Sequence, residues 1–154
     1  MPYTIHYNFS QHFAVPAKVA FEWCIDYQPE DHALMGETNT KREVIWLTEC
    51  TAILKETFHM DSGIVEKQKL VHLYPNRLSW VSTHLSGPNK YSQFIYQITS
   101  ESEMASRLDF NAQHLEPQGN LSQKDLKLLT DKLCEEDSEL WKLLTKAMER
   151  ELSK

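Results

Sequence analysis

Glu56 shares its parity with Ala52, Leu54, Phe58 and Met60, so in an extended segment the carboxylate points to the same side as four apolar side chains. If that side closes a cavity, Glu56 is a desolvated acid with a raised pKa, suited to moving a proton or to holding a ligand hydroxyl. The same pattern also fits a sheet whose open end is wet at Glu56, or a salt bridge to Lys67 or Lys69 across the next hairpin. Three histidines follow the same logic. His72 shares parity with Leu70 and Tyr74, His84 with Leu78, Trp80 and Ser82, and His114 with Leu108, Phe110 and Ala112. On inward faces they could act as a general base, as metal ligands, or as single polar anchors in an apolar pocket. Their separations carry no metal-ligand spacing, so the polar anchor is the favoured role and neither a metal nor another cofactor is expected. Asp137 lies between Leu133 and Leu140. It either points into a cavity mouth or sits just off the apolar stripe and pairs with Lys132 or Lys142, the solvated arrangement being the favoured one. No Gly-x-Ser-x-Gly elbow, phosphate-cradling glycine loop or His-Glu-x-x-His pair is present, and Gly36, Gly63, Gly87 and Gly119 all read as turn residues.

The elements that must position these side chains are legible as periodicities. Tyr3, Ile5, Tyr7, Phe9, Phe13 and Val15 alternate as in a half-buried strand. Pro16 then stands at the first helical position, with Val19, Ala20, Trp23 and Cys24 at helical spacing and an end near Asp26; residues 29–34 could add another turn. From Thr38 the chain predicts strand after strand: 42–50, 51–60, 64–74, 78–85, 91–99 and 104–115. Asp61-Ser62-Gly63, Pro75-Asn76, Gly87-Pro88-Asn89 and the polar run 100–103 separate the later ones, the spacing of an antiparallel meander. After a break at 116–120, Ser122 and Asp125 resemble a capping box that opens one long helix to Leu152. Its stripe of Leu126, Leu129, Leu133, Leu140, Trp141, Leu144, Met148 and Leu152 needs a partner surface, and the curved sheet is the available one. Phe58, Trp80, Tyr96, Phe110 and Trp141 are the expected inward aromatics, serving both as core and as cavity wall.

At 154 residues the chain is expected to form one domain over 1–154, long enough to bury about 70% of its unfolded surface. The formal charge of −6, with nine acids and four bases in residues 1–63 and near balance after that, gives no basic patch for nucleic acid or for an anionic membrane. Neither a transmembrane span nor a leader pattern is legible, so a cytoplasmic location without stable membrane insertion is expected. Cys24, Cys50 and Cys134 are too few and too scattered for a disulfide framework and read as small buried hydrophobes.

The stretch Phe13-Ala14-Val15-Pro16-Ala17-Lys18-Val19-Ala20-Phe21-Glu22-Trp23, followed by Asp26 and Pro29, resembles the start of the START-like or SRPBCC superfamily. Tyr96-Gln97-Ile98-Thr99 and Ser106-Arg107-Leu108-Asp109-Phe110 are similar to the last hairpin of its polyketide cyclase/dehydrase and lipid-transport branch, and the order of elements agrees over the whole chain. The resemblance implies an α+β helix-grip fold: a curved antiparallel sheet of six to seven strands wrapped around the C-terminal helix, with one or two short helices after the first strand and an apolar tunnel between sheet and helix. Because that superfamily spans carriers, cyclases and chaperone activators, fold alone leaves function open. The leading expectation is binding or transport of a small hydrophobic molecule of lipid, isoprenoid or aromatic polyketide type, more a binding protein than an enzyme. Glu56 and His72 are the candidate polar or catalytic groups, and Phe58, Leu70, Trp80, His84, Tyr96, Phe110, His114, Asp137 and Trp141 line the cavity with them. The alternatives are a polyketide cyclase or dehydratase using a cavity Glu or His, and a chaperone-activator-like module acting through the outer sheet face.

Overall fold

The computed structural model describes residues 3–27, 40–116 and 121–154; the helical turn expected at 29–34 and the turns at Gly36 and Gly119 lie outside them. Seven antiparallel strands form one curved sheet: β1 (Tyr3–Phe13), β2 (Thr40–Thr48), β3 (Thr51–Met60), β4 (Gly63–Tyr74), β5 (Ser79–His84), β6 (Gln93–Ser102) and β7 (Ala105–Glu116). They are ordered β1-β7-β6-β5-β4-β3-β2, so each of the last six strands pairs with its sequence neighbour and β1 closes against the last. A short helix, α1 (Ala17–Cys24), follows β1, and a long one, α2 (Gln123–Leu152), ends the chain.

Sequence dictates these elements locally. Pro16 caps α1 in extended geometry instead of entering it, and its carbonyl accepts the Ala20 N–H at 2.9 Å. The face that α1 buries is Ala17, Ala20 and Phe21; Val19, expected inside, is 37% exposed, because the Phe21 ring packs on Trp80 and fixes the rotation of so short a helix. Ser122 accepts the Asp125 N–H at 3.1 Å and starts α2 where the capping pattern placed it.

The stripe of α2 divides into two seats. Leu126, Leu129, Leu133 and Cys134 lie on a cluster of Ile5, Tyr7, Phe110 and Ala112, while Trp141, Leu144 and Met148 join the main core of Phe13, Phe21, Leu54, Val71, Leu73, Trp80, Ile98 and Leu108. Leu152, assigned to the stripe, is 40% exposed. Two carboxylates hold that end in place: Glu149 accepts the Ala14 backbone N–H at 2.9 Å, and Glu151 accepts the Trp23 indole N–H. No helix among the described residues is long and apolar enough to cross a membrane.

Candidate functional site

The concave face of the sheet is set by register. Across the β3–β4 hairpin, Met60 pairs with Gly63, so Glu56 faces Lys67, Leu54 faces Lys69 and Ala52 faces Val71. Directly paired residues share a face. The inward residues of β4 are therefore Lys67, Lys69, Val71 and Leu73, the last two buried. This reverses the parity expected for that strand: Leu70 and His72 lie on the convex side, His72 opposite Thr51 and Val81, away from any cavity. On β5 and β7 the expected parity holds, with Trp80, Ser82 and His84 inward on one and Leu108, Phe110, Ala112 and His114 inward on the other.

Between this face, α1 and the C-terminal half of α2 lies a partly open cavity of about 310 Å³. One wall is aromatic. Trp80 and Tyr96 stack with centroids 4.6 Å apart and planes 2° from parallel, and Trp141 closes on Tyr96 at 5.8 Å from the helix. Trp23 and Cys24 reach it from α1, while Leu54, Leu140 and Leu144 complete the apolar lining. Burial holds the Tyr96 phenol well above its usual range, so it remains an O–H donor at all ordinary pH.

The opposite wall is charged. Glu56, 3% exposed, is neither wet nor an isolated acid: Lys69 Nζ lies 2.7 Å from Oε1 and Arg42 Nη2 3.6 Å from Oε2. The salt bridge expected across the hairpin therefore forms with the diagonal lysine, while the directly opposed Lys67 places its ammonium over the Phe58 ring, 5.2 Å from the centroid. Arg42 lies over Tyr27 at 5.7 Å. His84 lines the same wall, tilted on Phe94 at 5.0 Å. Burial, reinforced by Lys69 and Lys67, lowers its pKa to about 4, so it is a neutral imidazole at pH 7.

The remaining candidates form a second polar group outside the cavity. Asp137 turns inward and accepts the Tyr7 O–H; Lys132 and Lys142, its expected partners, bind Glu136 and Glu139 instead. A carboxylate on this side of α2 meets β1, where Tyr7 offers a buried donor, whereas the two lysines lie on the solvent side. Burial raises both the Asp137 carboxyl and the Tyr7 phenol above their usual ranges. His114 Nε2 is 2.6 Å from Glu116 Oε1 and 3.1 Å from Asn89 Nδ2, a polar knot at the end of β7. Phe110 is buried between Phe9, stacked at 4.7 Å, and Tyr96. No cluster of metal-ligating side chains occurs among the described residues.

Of the expected cavity residues, Glu56, Phe58, Trp80, His84, Tyr96 and Trp141 come together, whereas Leu70, His72, Phe110, His114 and Asp137 do not line the cavity. Arg42, Lys67 and Lys69 are the polar groups that the periodicity did not select. The signal for the two lysines was present, because the tight turn at Asp61-Ser62 fixes the pairing and puts both on the Glu56 face.

A seven-stranded curved sheet gripping a C-terminal helix defines the class: this is a helix-grip fold. Over 97% of its length the chain is similar to 96% of the Zhui aromatase/cyclase from Streptomyces sp. R1128, at a TM-score of 0.75 and 14% identity. It is similar over 98% of its length to 87% of norcoclaurine synthase from Thalictrum flavum, solved with dopamine and hydroxybenzaldehyde (TM-score 0.72, 11% identity). A START superfamily protein from Mycobacterium smegmatis matches over 97% of both chains (TM-score 0.66, 11% identity). At these identities the likeness is one of fold. No family model and no curated protein matches the sequence.

Proposed function

We propose that the protein binds a small hydrophobic molecule in the cavity between the sheet and α2, with the lipid, isoprenoid and aromatic polyketide classes as its ligand types. The observation that carries this reading is the cavity itself: about 310 Å³, walled on one side by the Trp80–Tyr96 stack and on the other by Glu56 and its cations. Its volume is at the lower end of the ~300–1,000 Å³ range of ligand pockets, which suits a molecule of a few fused rings or one short chain and not a two-chain lipid. Apolar burial supplies affinity at about 25 cal/mol per Å², and the polar wall sets orientation. The aromatic ligands named with the Thalictrum structure, and the cyclase named with Zhui, support the aromatic end of this range.

A second reading, proton-transfer chemistry of the cyclase or dehydratase kind, is favoured by one observation: a neutral His84 faces the cavity beside Glu56. It ranks second because a base with a pKa of about 4 is poorly matched to removing a proton near neutral pH.

Trp80, Trp141 and Trp23 in the lining make binding visible as energy transfer to a neutral fluorophore, phenylnaphthylamine. Saturable one-to-one binding is expected, lost in Ser82→Phe, which fills the cavity from an inward, buried position. No saturable binding, or binding indifferent to Ser82→Phe in a variant that melts cooperatively, overturns the reading. Native mass spectrometry of protein from its own host then identifies the cargo.

A further inference from the structure

We infer that the cavity selects an anionic amphiphile, seated with its carboxylate, sulfonate or phenolate head at Lys67 and Lys69 and its apolar body against Trp80 and Tyr96. The inference rests on the cavity being the binding site and names the class of ligand that it takes.

Lysine normally stands on the solvent side of a strand, with its stem lying along apolar surface and its head in water. Here Lys67 and Lys69 occupy successive positions on the inward face of β4, continued by the buried Val71 and Leu73; Lys69 is half-buried, and Lys67 is exposed at the open end of that face. Among described residues the cavity lining carries Arg42, Lys67 and Lys69 against a single acid, Glu56, in a chain whose formal charge is −6. Among the described residues, positive charge is therefore in excess in the cavity lining of an otherwise acidic protein.

Glu56 is the register partner of Lys67, yet its oxygens lie against Lys69 and Arg42. Among the described residues no carboxylate comes within ion-pair distance of Lys67, whose ammonium rests on the Phe58 ring at the rim. Lys67 is exposed, and its ammonium over the ring still has its hydrogen-bond donors to offer. A head group arriving there meets Lys67 directly, Lys69 behind it, and the neutral imidazole of His84, which can donate one N–H. The low pKa of His84, owed to burial first and to Lys69 and Lys67 next, reports the same positive field inside the cavity. The aromatic stack lies deeper, so a ligand satisfying both ends carries its charge at one end and its rings at the other.

Two fluorophores with the same arylamine body, anilinonaphthalene sulfonate and the neutral phenylnaphthylamine, isolate the charge. Each is titrated into the wild type, Lys67→Met, Lys67→Glu and the remote control Lys127→Met, which changes a lysine on the outer face of α2 paired with Asp131. The sulfonate displaces the neutral probe. The ratio of the two affinities falls about threefold to fivefold in Lys67→Met, the size of a partly screened charge pair, and about tenfold or more in Lys67→Glu. Lys127→Met leaves the ratio unchanged. If both probes bind and compete while Lys67→Glu leaves the ratio within twofold of wild type, anion selection is wrong and the cavity reading stands. Binding of the sulfonate without displacement of the neutral probe also overturns it. If neither probe binds the wild type, the cavity reading itself fails and this inference with it.

Discussion

Replacing Glu56 with Gln should move stability and anion affinity in opposite directions, a combination that a simple loss of packing would not produce. The carboxylate has Lys69 Nζ at 2.7 Å and Arg42 Nη2 at 3.6 Å. At an effective dielectric of ~20 these two attractions are worth about 6 and about 5 kcal/mol gross. Desolvation of the three groups offsets most of that, and breaking a buried pair generally costs about 3–5 kcal/mol. The Glu56 and Arg42 side chains, 3% and 8% exposed, cannot recover water, but Lys69 at 27% can swing toward it. The expected loss is therefore about 2–4 kcal/mol, somewhat below the fully buried case. For a chain of this length, that lowers Tm by roughly 4–16 °C.

Binding responds with the other sign. Glutamine keeps the volume but removes the only acid among the described cavity-lining residues, so that Lys69 loses the carboxylate at 2.7 Å and an entering anion can take its place. The sulfonate probe should bind about fivefold or more tightly, corresponding to about 1 kcal/mol, with the neutral probe as reference. It should also raise Tm more in this variant than in the wild type, because the ligand supplies the missing counter-charge. Thermal melts by circular dichroism with and without probe, beside the two titrations, read all three quantities. An unchanged Tm would mean that the ion cluster does not exist in solution. A destabilised variant with weaker sulfonate binding and unaltered neutral binding would mean that Glu56 itself contacts the ligand, and the charge argument would be refuted.

Two further outcomes follow from the pKa shifts. His84 is depressed from the ordinary 6.5 to about 4, so between those values the unfolded chain binds the extra proton. Stability then rises with pH through that window, and acidification from pH 7 to pH 4 should cost about 2–3 kcal/mol through this group; His84→Gln should flatten that part of a Tm-against-pH curve. If the slope is the same in wild type and variant, His84 is not held neutral by the fold. Asp137 is shifted the other way: raised above its unfolded value by burial, it makes stability fall as pH rises from the ordinary carboxylate range to its folded pKa. Tyr7→Phe removes its donor and should cost about 1.5–3 kcal/mol at pH 7, shrinking once the acid is protonated, whereas a loss independent of pH would show that only packing had changed.

Much of the fold was legible because its signals are local and redundant. In β1 the odd residues are apolar from Tyr3 to Phe13 apart from Gln11, and an error of one position would expose most of them, so sequence leaves a single register. Ser122 marks the start of α2 for the equally local reason that its side chain can satisfy the Asp125 N–H. The rotation of α1 was not legible, since eight residues with apolar side chains on several faces offer two stripes, and only the Phe21 contact with Trp80 decides between them. Asp137 failed similarly. On a helix surface its neighbours in sequence are lysines, whereas its actual partner, Tyr7, lies 130 residues away across the fold.

The site was half legible, and the missing half has a specific cause. In 70–74 the apolar residues Leu70, Val71, Leu73 and Tyr74 are shared between the two parities, so periodicity alone cannot say which face of β4 is inside. Hairpin register can, because pairing Met60 with Gly63 forces Lys67 and Lys69 onto the face of Leu54 and Glu56. Apolar counting rejects that answer, as it would place two ammonium groups along a hydrophobic cavity. For packing alone, leucine at the half-buried position 69 would bury more apolar surface at less desolvation cost than lysine. The half-buried Lys69 is a local conflict with the pattern that builds the rest of the sheet, and such conflicts concentrate where the occupant of a site, and not the sheet, sets the side chain. Lys69, which contradicts the apolar parity of β4, is thus the residue that the proposed anionic ligand would explain.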